Sequence, residues 1–132
     1  MSESMMPFYW QIVAVGIAGG LGTMVRLGTN QLMASLYGVG FPWGTTVVNL
    51  LGSFLFGFLV TFFLADKLPV YWKVILLTGF LGGYTTFSSY AFEIAHFLEK
   101  NQYALALLHF SVQNILGVAA VFAGLILGRL LT

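Results

Sequence analysis

Polar side chains recur at helical spacing within an otherwise apolar part of the sequence. Thr45, Asn49 and Ser53 are four residues apart, so in a helix they share one face. In hydrocarbon, a polar side chain faces protein or a water-filled path. For Ser53 we favour an interhelical hydrogen bond, worth about 0.6 kcal/mol on average. For Asn49 both uses stay open, because its carboxamide could tie two helices together or face an ion path.

A second polar cluster interrupts the third apolar stretch, where residues 78–90 read TGFLGGYTTFSSY. Two adjacent glycines followed by two β-branched threonines are unfavourable in a helix interior. We therefore expect a helix break at 82–86 rather than a simple kink. A break frees backbone carbonyls and amides at membrane depth, which is tolerated only where they are buried in protein or line a cavity.

Two aromatic rings and two hydroxyl groups follow this expected break. Phe87 and Tyr90 are three residues apart and share a helix face, with Ser88 and Ser89 beside them. Aromatic residues at this spacing usually face lipid or a protein core. The edge of an aromatic ring is positive, however, so rings along a narrow path could favour a small anion while hydroxyls donate hydrogen bonds.

Titratable and amide side chains also lie within the last two apolar stretches. His109 and Gln113 are four residues apart, and Asn114 is adjacent. We expect His109 to be a hydrogen-bonded packing residue or one near the membrane interface. Gln113 is a weaker candidate for the pore lining, and the register of this helix stays open by one residue between Gln113 and Asn114. Glu93 and His96 are three residues apart, which permits a local pair.

The composition excludes a water-soluble domain. Of 132 residues, 59% are hydrophobic and 7% are charged, whereas a soluble domain has about 25% charged residues. The five Lys and Arg residues are scattered, so no nucleic-acid partner is expected. With no cysteine and two histidines a zinc site is not expected, and no motif indicates an enzyme. We expect a multi-pass protein of the cell (inner or plasma) membrane, with the lipid bilayer as its surroundings.

Four stretches are long enough to cross a bilayer core, which takes roughly 20 apolar residues. They cover residues 7–25 (with an extension toward Tyr37), 44–64, 70–98 and 103–131. We therefore predict one all-α transmembrane domain over residues 1–132, with four helices and a broken third helix. Three glycine pairs predict close helix packing: Gly16 and Gly20, Gly79 and Gly83, and Gly124 and Gly128.

Basic residues give almost no preference for one orientation in the membrane. Lys67, Lys73 and Arg129 lie on the side of the termini, whereas Arg26 and Lys100 lie on the other. Because loop Lys and Arg normally set topology, this near balance makes insertion in both orientations plausible. Since four helices leave little room for an internal pore, we predict an antiparallel homodimer. Arg26, near the end of the first span, either snorkels to the interface or draws anions to a vestibule.

Three motifs resemble those of CrcB/Fluc fluoride channels, in the same order along the chain. Residues 79–88 read GFLGGYTTFS and resemble the family's GFxGGxTTFSTF signature. Residues 44–49 (GTTVVN) resemble its GTLxVN, and residues 19–26 (GGLGTMVR) resemble its glycine-rich first helix ending in Arg.

The resemblance implies an antiparallel homodimer with two fluoride pores at the subunit interface. It also implies a central structural sodium ion, held here by the main-chain carbonyls of Gly82 and Thr85. The family's two pore phenylalanines fall on Phe87 and Tyr90, its polar track on Ser88 and Ser89, and its pore asparagine on Asn49. Tyr90 departs from the family pattern because its ring carries a hydroxyl.

Two other classes of membrane protein compete with the channel. Small multidrug-resistance antiporters are also short, four-spanning and often antiparallel, but their proton-coupled export needs a carboxylate deep in the first span. Residues 7–25 contain none. A purely structural membrane subunit predicts neither a broken helix nor an ordered ion.

Overall fold

The computed structural model describes residues 6–132, and all the regular secondary structure in this part of the chain is helical. Helices α1 (Phe8–Tyr37), α2 (Trp43–Leu64) and α5 (Tyr103–Leu131) are each long and apolar enough to cross a membrane. The third crossing is divided into α3 (residues 70–84) and α4 (Phe87–Glu99). Among the described residues, helices therefore occupy all four predicted stretches, and three of these are apolar enough to cross a membrane. The single domain predicted over 1–132 includes residues 1–5, which lie outside them.

The helices end where the backbone can turn sharply. Gly38, directly after α1, has φ +76°, a left-handed conformation that glycine adopts without the steric cost of a Cβ. Asp66 (φ 53°) and Asn101 (φ 57°) take left-handed conformations in the next two connections. Asp and Asn tolerate this region better than most other residues. These short turns place consecutive helices side by side.

Glycines allow two pairs of helices to pack with their backbones in close approach. Between α1 and α3, a Cβ on Gly22 would overlap the carbonyl oxygen of Phe80. Between α2 and α5, a Cβ on Gly124 would overlap the carbonyl oxygen of Phe54, and one on Gly57 that of Val121. Van der Waals packing of this kind drives helix association where there is no hydrophobic effect between helices.

The sequence was correct about two of the three glycine pairs. Gly79 and Gly83 pack on α1, and Gly124 and Gly128 pack on α2. The third pair was wrong as a contact within the chain, because a Cβ on Gly16 or on Gly20 would meet nothing within 4 Å. The helical turn gives the reason: α1 faces α3 with Gly19 and Gly22, so Gly16 and Gly20 point elsewhere.

Two helices contain π-helical segments. Val74–Leu81 forms the middle of α3, and Val112–Leu116 lies within α5. Such segments cluster at functional sites because they change which side chains share a face. Here the first segment ends about one helical turn before Thr85, and the second contains Gln113 and Asn114.

Candidate ion path at the helix break

The third crossing breaks at Thr85 and Thr86, which confirms the break expected within 82–86. Both residues are extended, with φ/ψ of −80°/160° for Thr85 and −149°/117° for Thr86. Gly82 and Gly83 remain helical. The glycines serve the crossing with α1 instead, since a Cβ on Gly83 would overlap the carbonyl oxygen of Gly19.

Threonine side chains stabilise both ends of the break. The Thr85 hydroxyl donates to the carbonyl of Leu81 (2.9 Å) at the end of α3. Thr86 is the N-cap of α4, where its hydroxyl oxygen accepts from the backbone N–H of Ser89 (3.2 Å). An N-cap of this kind is worth about 1 kcal/mol. The β-branch also favours the extended backbone, so the threonines define the break.

Asn49 on α2 binds the exposed backbone of the break. The Thr86 N–H donates to Asn49 Oδ1 (2.8 Å), and Asn49 Nδ2 donates to the Thr86 carbonyl (2.9 Å). In a continuous helix the Thr86 N–H would instead donate to the carbonyl of Gly82, four residues earlier. The carboxamide therefore replaces the helical partners that the break removes.

The second N–H of Asn49 is also used within the chain. Asn49 Nδ2 donates to Gln113 Oε1 on α5 (3.1 Å). Gln113 Nε2 is buried and has no hydrogen-bond partner among residues 6–132. Leaving a buried donor unpaired costs about 1–3 kcal/mol. This amide is thus a group that needs an acceptor.

The break forms part of the wall of an open cavity of about 400 Å³. Four of the predicted path residues line it: Asn49, Phe87, Tyr90 and Gln113. The sequence had not assigned Thr86 to the path, had left the fourth helix open by one residue between Gln113 and Asn114, and had favoured a packing role for Ser53. Thr86, Asn114 and Ser53 also line the cavity. The π-helical segment explains Asn114, because it lets two consecutive residues of α5 reach one cavity.

The two predicted rings differ in exposure. Phe87 is 77% exposed at the start of α4, whereas Tyr90 is 8% exposed and meets it edge to face, with ring centroids 5.6 Å apart. Asn114 Nδ2 donates to the Tyr90 hydroxyl (2.9 Å). Ser88 and Ser89 are exposed on the same first turn of α4, outside the cavity wall.

A carboxylate–imidazole pair lies beside this cavity. His109 is completely buried, and its Nε2 is 2.9 Å from Glu93 Oε2, while Thr45 donates to Glu93 Oε1 (2.6 Å). The expectation that His109 is a hydrogen-bonded packing residue is confirmed. The local pair between Glu93 and His96 was wrong. His96 instead stacks on Phe92, one helical turn earlier. Glu93 points toward α5, where it meets His109.

Comparison with known proteins identifies the family. Residues 13–125 match the family model described as CrcB-like protein, Camphor Resistance (CrcB). The chain belongs to the CrcB family. A protein of Solidesulfovibrio magneticus named fluoride-specific ion channel FluC is 46% identical over 89% of this chain and 94% of its own length. One from Nitrosococcus oceani with the same name is 41% identical over 92% and 99%.

In this CrcB-family chain, Arg26 lies at the break and not at the end of the first helix. It is well inside α1, which continues to Tyr37, and its Nη1 donates to the carbonyl oxygen of Thr85 (3.2 Å). This brings a positive charge next to one of the two carbonyls that the family resemblance assigns to sodium.

The other carbonyl, of Gly82, fits a cation site better. The Thr86 N–H, which would donate to this carbonyl in a continuous helix, donates to Asn49 instead, and Gly82 is exposed. Neutral carbonyl oxygens are hard ligands of the kind that hold alkali and alkaline-earth cations. The Thr85 oxygen has a second lone pair beyond the one that Arg26 uses. The donor set therefore fits sodium in chemical type, and Arg26 adds an electrostatic cost.

Proposed function

We propose that this protein is a fluoride channel and not an enzyme. The observation that carries the proposal is the cavity at the break, in the middle of the third crossing. Its wall contains amide and hydroxyl groups and an aromatic ring edge, and no Asp, Glu, Lys or Arg of residues 6–132 belongs to it. Relatives that match most of the chain are named fluoride-specific ion channels.

Uncharged donors suit the movement of a small anion. Fluoride is strongly hydrated, so a path must replace lost water with hydrogen bonds at each step. Conduction requires binding strong enough to admit the ion and weak enough to release it. A lysine or arginine in the wall would hold fluoride too tightly, whereas amides, hydroxyls and ring edges offer weaker successive contacts.

A second copy of the chain is the natural cover for the open side of this cavity. The open side exposes Phe87, Ser88 and Ser89. Leaving a polar group in hydrocarbon without a hydrogen-bond partner costs several kcal/mol of free energy. We propose a homodimer in which two such cavities form two fluoride paths.

The proposed dimer is antiparallel. Because Arg26 lies at the break, it is not counted among the loop charges. The side of the termini then has Lys67, Lys73 and Arg129, and the opposite side has Lys100, so the two sides differ by only two charges. A bias this small sets orientation weakly. Tagging both faces of the membrane, or crosslinking single-cysteine variants, would contradict this arrangement if every subunit had the same orientation.

The antiparallel arrangement also gives the carbonyls of Gly82 and Thr85 a role. Two copies related by a two-fold axis would offer four such oxygens to one ion. A set without carboxylates suits a monovalent cation, and we propose a structural sodium ion there. Replacing sodium with a large organic cation in the purification buffer should then reduce the fraction of folded dimer.

The direct test of channel function uses purified protein in liposomes loaded with fluoride. A fluoride electrode should record rapid efflux when the charge movement is balanced by a potassium ionophore. Liposomes without protein, and liposomes loaded with chloride, should show only slow leakage. Equal efflux of chloride and fluoride would contradict a fluoride channel, and no efflux of either would contradict a channel.

A further inference from the structure

Arg26 brings a fixed positive charge to the C-terminal end of α3. Its Nη1 donates to the carbonyl oxygen of Thr85 at 3.2 Å, and the residue lies well inside α1. A guanidinium stays protonated in proteins, so this charge does not depend on pH. The unsatisfied carbonyls at a helix C-terminus carry a partial negative charge, which favours a cation there.

No carboxylate among the described residues neutralises this charge by an ion pair. The one ion pair within residues 6–132 joins Glu93 and His109, on other helices. Arg26 also lies outside the wall of the cavity at the break. In a membrane-spanning helix, an ionisable group of this kind is a sign of a functional site. Its charge acts first on the carbonyl that it contacts.

Two carbonyl oxygens at the end of α3 keep lone pairs for an ion. The Gly82 oxygen lacks its helical donor, because the Thr86 N–H is bound to Asn49. The Thr85 oxygen accepts one bond from Arg26 and has a second lone pair. A cation on the Thr85 oxygen would share that oxygen with the guanidinium and would be its close neighbour.

The repulsion between Arg26 and such an ion grows with the charge of the ion. By Coulomb's law, a divalent cation experiences twice the repulsion of a monovalent one at the same place. Backbone carbonyls by themselves are ligands that calcium also uses, although calcium usually recruits carboxylates as well. The carbonyls therefore permit either ion, and the neighbouring charge penalises the divalent one more.

We propose that Arg26 is a specificity-determining residue for the ion at Gly82 and Thr85. Its fixed charge restricts these carbonyls to a monovalent cation. The inference rests on the proposed channel with its structural sodium ion and deepens it. A merely structural role, as a cap for the last turn of α3, would change the stability of the break and would treat sodium and calcium alike.

The test compares sodium with calcium, which is nearly the same size and differs in charge. Purified protein in detergent is titrated with each cation in a buffer that contains a large organic cation and no fluoride, because calcium fluoride is insoluble. The measured quantity is the cation concentration that gives half of the gain in thermal stability. The ratio of the calcium value to the sodium value cancels any loss of stability that affects both titrations.

Arg26→Gln removes the charge and should lower the calcium-to-sodium ratio about tenfold or more, which corresponds to 1.4 kcal/mol. Arg26→Lys keeps the charge on a different side chain and should keep the ratio of the wild type. Arg129→Gln makes the same substitution in the exposed last turn of α5 and should also match the wild type. An unchanged ratio in Arg26→Gln, or an equally low ratio in Arg26→Lys, would overturn the assignment.

A second variant keeps the proposal testable if Arg26→Gln does not fold. Arg26→Met keeps a long apolar side chain without charge and should show the same fall in the ratio. The wild type provides a check without any variant, because equal stabilisation by calcium and sodium at the same concentration would overturn the assignment. A wild type that sodium does not stabilise would overturn the ion together with the role of Arg26, and a wild type without fluoride efflux would overturn the channel.

Discussion

Adding one methyl group at the contact between α1 and α3 should disturb the break from a distance. In Gly22→Ala, the new Cβ would overlap the carbonyl oxygen of Phe80 and would lie 2.9 Å from the backbone nitrogen of Tyr84. Ordinary contacts begin at 3.4 Å, so α1 and α3 must separate by more than about 0.5 Å. Both neighbours are backbone atoms that cannot rotate away.

The cost of this separation follows from packing. Inserting a methyl group into a well-packed contact usually costs about 1–3 kcal/mol. Tyr84 is the last residue of α3 before the break, so its displacement also moves Thr85 and Thr86. We therefore expect Gly22→Ala to lower both the thermal stability of the folded protein and its fluoride efflux.

A second glycine on the same helix provides a matched control. A Cβ on Gly28 would meet nothing within 4 Å, so Gly28→Ala adds the same methyl group without an overlap. The assay is the fraction of protein that remains monodisperse after heating in detergent, followed by efflux from liposomes. If Gly22→Ala matched Gly28→Ala in both measurements, the close packing of α1 on α3 would be refuted.

Three further substitutions test other contacts. Phe87→Ile removes a ring edge and should reduce fluoride efflux sharply without loss of folding, whereas Phe92→Ile, outside the cavity wall, should conduct normally. Tyr90→Phe removes only a hydroxyl and should lower efflux about two- to fivefold, the effect of one modest hydrogen bond; unchanged efflux would show that this hydroxyl is not used. His109→Ala removes one of the two hydrogen-bond partners of Glu93 and should cost about 1–3 kcal/mol of stability, more than His109→Gln, as thermal unfolding would measure.

The sequence alone predicted the membrane class, the spans and the break. These are local properties: apolar runs determine where a helix can cross, and adjacent glycines and threonines weaken a helix at one place. The position within the predicted range still depended on the fold. Gly82 and Gly83 stay helical because α1 packs on α3 there, and the break moves to Thr85 and Thr86.

The partners of the polar side chains were decided only by tertiary structure. Glu93 binds His109 on another helix and not His96 three residues away, and Arg26 reaches Thr85 from inside a longer helix than its motif suggested. Partner choice depends on the rotation and depth of packed helices, which spacing within one helix does not contain. The sequence therefore showed that Asn49 needed partners, and the fold decided that these are the backbone of Thr86 and the side chain of Gln113.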